Sequence, residues 1–359
     1  DKNNKVQNMR FKHLLVALGL SVAGMTSAIN VQAADAEFTF KVHHFLPPMS
    51  MAHQKFMEPW AQKIMKESNG RIKIDVYPSM QLGGKPPQLF DQARTGVADI
   101  TWTVGGYTPG RFPKAGAFEL PFMPVNAEAT SMAMQEYAEK EMQDELSEVH
   151  VLAMHTHAPG ALHSREKEIR TAKDVDGLKV RAPNKAMAEA LTLLGASPVF
   201  MPVPQMPSAL SKGVIDVAVL PFEVVRPMKI HQLAPHNTEI KGERGLYAQF
   251  FIFSMNKDAY NKLPADLKKV IDDNSGLELA RHIGKLFDDE EMVGYKAAQD
   301  EKNSFYTLSP EETANWKKAM QPVTDSWIAD MTSEGHNGQA LYSEAEALIS
   351  KYDQVVGKK

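Results

Sequence analysis

At 359 residues, 43% of them hydrophobic and 23% charged, the chain is long enough for two domains with cores of their own and too apolar to be disordered. A net charge of −4, with no Lys/Arg block and no basic stripe interleaved with aromatics, argues against a nucleic-acid surface. The absence of cysteine removes disulfides and an N-terminal lipid anchor, so the core alone must hold the fold.

From Met9, a short basic region holds Arg10 and Lys12, an apolar run extends from Leu14 to Met25, and small residues follow, with cleavage expected after Ala33 or Ala36. This order predicts a secretory signal within residues 1–33 and export of a soluble chain, with the periplasm as its expected compartment. The apolar run is too short to span ~30 Å of hydrocarbon comfortably. Phe38 to His43 and Arg71 to Tyr77 alternate as strands, and Phe56 to Ser68 between them has helical spacing. A helix from Pro87 to Thr95 is closed by Gly96, and a strand from Val97 to Val104 follows. The same joint returns later: Pro207 to Lys212 reads as a helix, Gly213 closes it, and Val214 to Val217 opens a strand. Gly96 to Asp99 and Gly213 to Asp216 are therefore expected to be equivalent joints in two lobes. Strands at Val149 to His155 and Tyr247 to Ser254 would carry the chain out of the first lobe and back, which makes a hinge. Pro264 to Asn303 carries Leu267, Ile271, Leu277, Ile283 and Leu286 at near-helical intervals, and one unbroken helix there would be ~55 Å long. A strand at Ser304 to Leu308 and helices at Glu311 to Met331 and Ser343 to Asp353 complete the chain.

The stretch from Gly177 to Pro183, Gly-Leu-Lys-Val-Arg-Ala-Pro, organises the functional reading. Leu178 to Ala182 reads as a strand that Pro183 terminates, Asn184 as the N-cap of a helix to Leu194, and Ser197 to Met201 as the next strand. In open α/β sheets ligands sit beyond the carboxyl ends of strands, where Arg181 falls. Its planar guanidinium suits two-point grip on a carboxylate; the alternative is a solvated rim arginine.

With these pieces in order, the chain resembles the extracytoplasmic solute-binding proteins of tripartite ATP-independent periplasmic (TRAP) transporters. The resemblance rests on Gln81-Leu82-Gly83, Gly96 to Ile100, Phe118 to Phe122, Gly177 to Pro183, Leu194-Gly195-Ala196 with Pro198, and Gly213 to Asp216. It implies a two-lobed α/β periplasmic-binding-protein fold with a hinge and a long helix touching both lobes. Lobe I is expected over 34–157 plus 247–287, lobe II over 158–246 plus 288–330, and a C-terminal helical segment over 331–359. It further implies a monomer that closes on its ligand and docks on the TRAP permease subunits, and it matches Arg181 to the family arginine that pairs with the ligand carboxylate.

Two departures narrow the ligand. Many members carry a second arginine near Pro159 to His163, and this chain has none there; many follow the second-lobe aspartate with Gln-Glu-Asn, where this chain runs Val217 to Phe222, including Leu220, almost wholly apolar. A second carboxylate or sugar hydroxyls would go unpaired at a cost of several kcal/mol, which favours an aromatic or apolar monocarboxylate over a dicarboxylate or 2-oxo acid. Trp102, Tyr107 and Phe222 are candidate flat walls, or ordinary core. Phe45 follows the first strand at a usual cleft position, one of Thr101 and Thr103 should point into the cleft, and Met201 lies near it. His155 and His157 share a face, but two histidines without a carboxylate or cysteine set make a poor metal site, and either is a candidate hydrogen-bonder to a ligand. No motif calls for a cofactor or a metal. The rival class, a secreted hydrolase or lyase, has no Gly-x-Ser-x-Gly elbow or zinc-helix motif and would have to use Glu119 and Glu223 as an acid/base pair.

Overall fold

The computed structural model describes residues 35–358, so the predicted secretory signal lies outside the described residues. The chain enters through β1 (Phe38–His43), α1 (Glu58–Glu67), β2 (Ile72–Tyr77), α2 (Leu89–Thr95), β3 (Ile100–Val104), α3 (Ala127–Glu141) and β4 (Val149–Thr156). It crosses to β5 (Ala161–Ser164), β6 (Lys179–Ala182), α4 (Lys185–Leu193), β7 (Ser197–Phe200), α5 (Met206–Ser211), β8 (Val217–Leu220), α6 (Ile230–Leu233) and β9 (His236–Glu239). It returns through β10 (Phe250–Asn256), α7 (Lys257–Asn261), α8 (Ala265–Asp273), α9 (Leu277–Asp300), β11 (Ser304–Thr307), α10 (Pro310–Ser333) and α11 (Gly338–Gly357).

Two sheets result, ordered β2-β1-β3-β10-β4 and β7-β6-β8-β5-β9-β11. In each, a parallel trio is followed by an antiparallel strand, β10 in the first and β5 in the second. The repeated joint fixes this correspondence at atomic detail. Gly96 and Gly213 both close their helices at positive φ, 83° and 69°, where a side chain would be strained. Asp99 accepts from the Lys41 amide at 2.8 Å and Asp216 from the Lys179 amide at 2.9 Å, so each pins the strand beside its own. Their carbonyls accept from Asn256 and Arg165, on the returning strand side in each sheet.

The two crossings pack against each other. The Gly160 amide donates to the Tyr247 carbonyl at 3.0 Å, and a Cβ at Gly160 would collide with the Tyr247 ring. The predicted long helix is broken. Asn274 ends α8 and Gly276, at φ 80°, starts α9, because the Gly276 amide turns to the Leu152 carbonyl at 2.7 Å and leaves the helical ladder. The apolar period runs through the break, so it did not announce it. The remaining 24-residue α9, ~36 Å long, still touches both halves. Gly284 lets it lie on the backbone of α3 and Gly294 on the Phe222 carbonyl, neither leaving room for a Cβ. The acidic turn between those glycines fastens it. Asp288 accepts from the Ala127 and Glu128 amides at 2.7 and 2.9 Å, Glu291 accepts from the Glu223 amide at 2.9 Å, and buried Glu290 pairs with Lys55 and Arg226 at 2.8 and 3.2 Å.

Candidate functional site

Arg181 is the penultimate residue of β6 and is fully buried. The flanking strands hold its guanidinium: Nε donates to the Met201 carbonyl at 3.0 Å and Nη1 to the Val219 carbonyl at 2.8 Å. Nη2 has no partner, and among the described residues Arg181 forms no ion pair. The hydroxyls of Tyr107 and Tyr247 flank the guanidinium. Tyr247 donates to Val219 at 3.1 Å, whereas Tyr107 accepts from the Val203 amide at 3.1 Å and keeps its own hydrogen to donate. This last bond joins the two halves of the molecule. The alternative reading, a solvated rim arginine, is ruled out by its burial.

These groups border a cavity with about 20 Å³ of open space, lined from the side of the first sheet by Phe45, Trp102, Val104, Tyr107 and Phe251. Val203, Pro221 and Val224 line it from the second, and Arg181, His157, Glu223 and Gln249 supply its polar groups. That open space is room for about one water molecule, so the lining is closed around the guanidinium and must part to admit a ligand. A larger groove of about 150 Å³ opens between α4 and α10, but Glu189, Asp330 and Glu334 outnumber Lys185 there, which opposes an anion. The smaller cavity is the candidate site.

The strand period decides which residues face it. Trp102 and Val104 share the cavity face of β3, so Thr101 and Thr103 point to the other side, where Thr103 donates to the Pro86 carbonyl at 3.4 Å. The expectation of a threonine hydroxyl in the cleft is therefore corrected. Trp102 is less a free wall than a layer in a stack. Phe45 covers one face at 5.2 Å and 3°, Phe251 the other at 4.8 Å and 11°, and Phe251 stacks in turn on His155 at 4.8 Å and 4°. Phe222 turns away, against His163, Tyr295 and Phe305, and so is not a cleft wall. Leu220 and Met201 are buried without lining the cavity. Met201 serves through its carbonyl on Arg181, and the Leu220 carbonyl lies 3.0 Å from His163 Nε2.

The histidines are occupied by the protein. His155 Nε2 accepts from Trp102 Nε1 at 2.8 Å, and burial pushes its pKa down to about 3. His157 Nδ1 donates to the Ala158 carbonyl at 2.5 Å while Nε2 accepts from the Gln249 amide at 3.0 Å, and burial pulls this ring down to about 4. Both are neutral near pH 7, and both ring nitrogens of His157 are bonded within the protein.

Sequence reasoning missed Gln249 as a cavity residue and considered Glu223 only as half of a catalytic pair. Gln249 falls within the strand expected over Tyr247 to Ser254, but the strand begins only at Phe250, and nothing in that apolar run marks Gln249 as a cavity residue. Both are almost wholly buried, and Gln249 Oε1 and Glu223 Oε2 have no partner. Burial raises the Glu223 carboxyl well above the usual range, with Glu291 and Glu290 adding repulsion. Glu119, raised by burial to about 8, lines the other groove. The two glutamates sit in separate cavities, so the acid/base pair does not form.

A buried, unopposed cation in an apolar cavity between two hinged sheets defines an anion-capturing solute-binding protein. The chain belongs to the bacterial extracellular solute-binding proteins, family 7, whose signature matches residues 42–330, and thereby to the TRAP binding proteins. It is similar to a marine metagenome TRAP solute-binding protein specific for aromatic acid ligands, in complex with co-crystallised 3-hydroxybenzoate. The two are 48% identical over 89% of this chain and 100% of that one, with a TM-score of 0.87. A Rhodoferax ferrireducens TRAP solute-binding protein in complex with copurified benzoate is 44% identical over 89% of this chain and 99% of its own, with the same TM-score of 0.87. More distant is the C4-dicarboxylate-binding periplasmic protein of Rhodobacter capsulatus, 23% identical over 91% of this chain and 97% of its own.

Proposed function

We propose that the protein captures a small aromatic monocarboxylate in this cavity and delivers it, as a periplasmic monomer, to a TRAP membrane permease. The observation that carries this reading is Arg181, buried without a protein carboxylate and held by two carbonyls so that Nη2 remains free. A guanidinium so fixed loses little freedom when it binds, and a carboxylate arriving in a closed cavity gains a charge-assisted bond unscreened by water. The Tyr107 hydroxyl supplies a second donor for the same anion. The ring then lies among Phe45, Val203 and Val224. Arg181 is the sole cation among the described lining residues, so a second carboxylate would be buried unpaired. The relatives that hold 3-hydroxybenzoate and benzoate support the aromatic class.

Calorimetric titration with benzoate, 3-hydroxybenzoate, succinate and malate tests the reading. One-site binding of the aromatic acids, with the dicarboxylates weaker by about a hundredfold or more, is the expected result. Equal or tighter binding of succinate or malate contradicts it. So does consumption of the acid in place of its recovery unchanged.

A further inference from the structure

We infer that Glu223 and Gln249 form a hydroxyl-reading pair, so that the physiological ligand is an aromatic monocarboxylate bearing a hydroxyl group rather than the bare ring acid. The inference rests on the function proposed above and adds the second polar group that the ligand carries.

Both side chains line the Arg181 cavity, one from the segment after β8 and the other from the segment entering β10. Glu223 is 3% exposed and so is Gln249. Each leaves one buried oxygen without a partner, Oε2 of Glu223 and Oε1 of Gln249. An unpaired buried oxygen is costly, and a cavity that keeps two of them is unfavourable for an unsubstituted benzene ring. Neither side chain is hydrogen-bonded or ion-paired to Arg181 among the described residues.

The two groups complement a hydroxyl. The amide oxygen of Gln249 accepts only, and matches the hydroxyl hydrogen. Glu223, crowded by Glu290 and Glu291 and shut off from water, favours its acid form, which donates to the hydroxyl oxygen. A second ligand carboxylate offers Gln249 no hydrogen. A hydroxyl satisfies both residues, while a bare ring desolvates them without return. Sites that hydrogen-bond a substrate hydroxyl discriminate strongly against the analogue that lacks it.

The test is a calorimetric panel of benzoate, phenylacetate, the three hydroxybenzoates, 3-hydroxyphenylacetate and mandelate on the wild-type protein and on Glu223→Gln and Gln249→Met. In the wild type, at least one hydroxylated acid is expected to bind about tenfold or more tighter than its unsubstituted parent. In Gln249→Met that ratio should fall toward one, and in Glu223→Gln it should fall by less, since an amide retains a donor. Wild-type binding of benzoate and phenylacetate as tightly as every hydroxylated acid overturns the inference and leaves the proposed function standing. A ratio that survives in both variants overturns it as well. Failure of the whole panel to bind overturns both readings.

Discussion

The two sheets share one plan and divide the work. At the Gly-x-x-Asp joints, Gly96 to Asp99 and Gly213 to Asp216, they are nearly superposable in role: a left-handed glycine, then an aspartate that pins the neighbouring strand through its amide. On the strands beside these joints the likeness ends. The first sheet presents Trp102 between Phe45 and Phe251, a neutral aromatic stack, whereas the second presents Arg181, a fixed charge. A repeated backbone therefore carries unrepeated chemistry. Scaffold residues should fail alike in both halves, and site residues should fail differently.

The largest effect should follow removal of the charge. Arg181→Met is expected to weaken aromatic-acid binding by about a hundredfold or more, and Arg181→Lys by about tenfold, because an ammonium cannot keep both backbone bonds and still face the ligand. Titration calorimetry reads both, and thermal melting of the free variants checks that they fold. Trp102→Leu should act mainly on stability. Losing a fully buried indole, its two stacking partners and its bond to His155 should cost about 2–4 kcal/mol, read by denaturant unfolding. If Trp102→Leu lowered affinity while leaving stability alone, the division between wall and anchor would be wrong.

The scaffold comparison is sharper still. Asp99→Ala and Asp216→Ala should each cost about 1 kcal/mol, one amide left without its acceptor in either sheet. Unequal costs would show that the joints are alike only in outline. The smallest expected effect concerns pH. Burial raises Glu291 to about 8, so the folded protein keeps a proton that the unfolded chain has lost, and stability should fall as pH rises toward and through 8. Glu119, also near 8, contributes in the same direction. His155 and His157, depressed by burial, withdraw stability only as pH falls below about 6.5. Glu291→Gln should therefore make the decline in melting temperature between pH 6.5 and 8.5 shallower without abolishing it.

Much of this was legible in the residues because it follows from local rules. Gly96 and Gly213, Asn184 as the N-cap accepting from the Met187 amide, and Arg181 before Pro183 all declare themselves within a few positions. The βαβ unit around Arg181 appears as read, with β6 and β7 parallel. What escaped has a physical reason in each case. The alternation of Thr101, Trp102 and Thr103 tells which residues share a face but not which face meets the cavity. Strand β9, His-Asn-Thr-Glu, has no apolar period, because it is held by its neighbours β5 and β11. The break before α9 hides inside a continuous apolar pattern. Glu223 and Gln249 meet only because two separate segments, after β8 and before β10, converge on one cavity. No local pattern encodes such a meeting.

A crystal structure of the protein with 3-hydroxybenzoate bound decides whether Arg181 is the anchor. A carboxylate oxygen is expected within hydrogen-bonding distance of Arg181 Nη2, with the ring between the two sheets beside Phe45. An acid bound in the groove between α4 and α10, or a guanidinium still unpaired beside an occupied cavity, would contradict it.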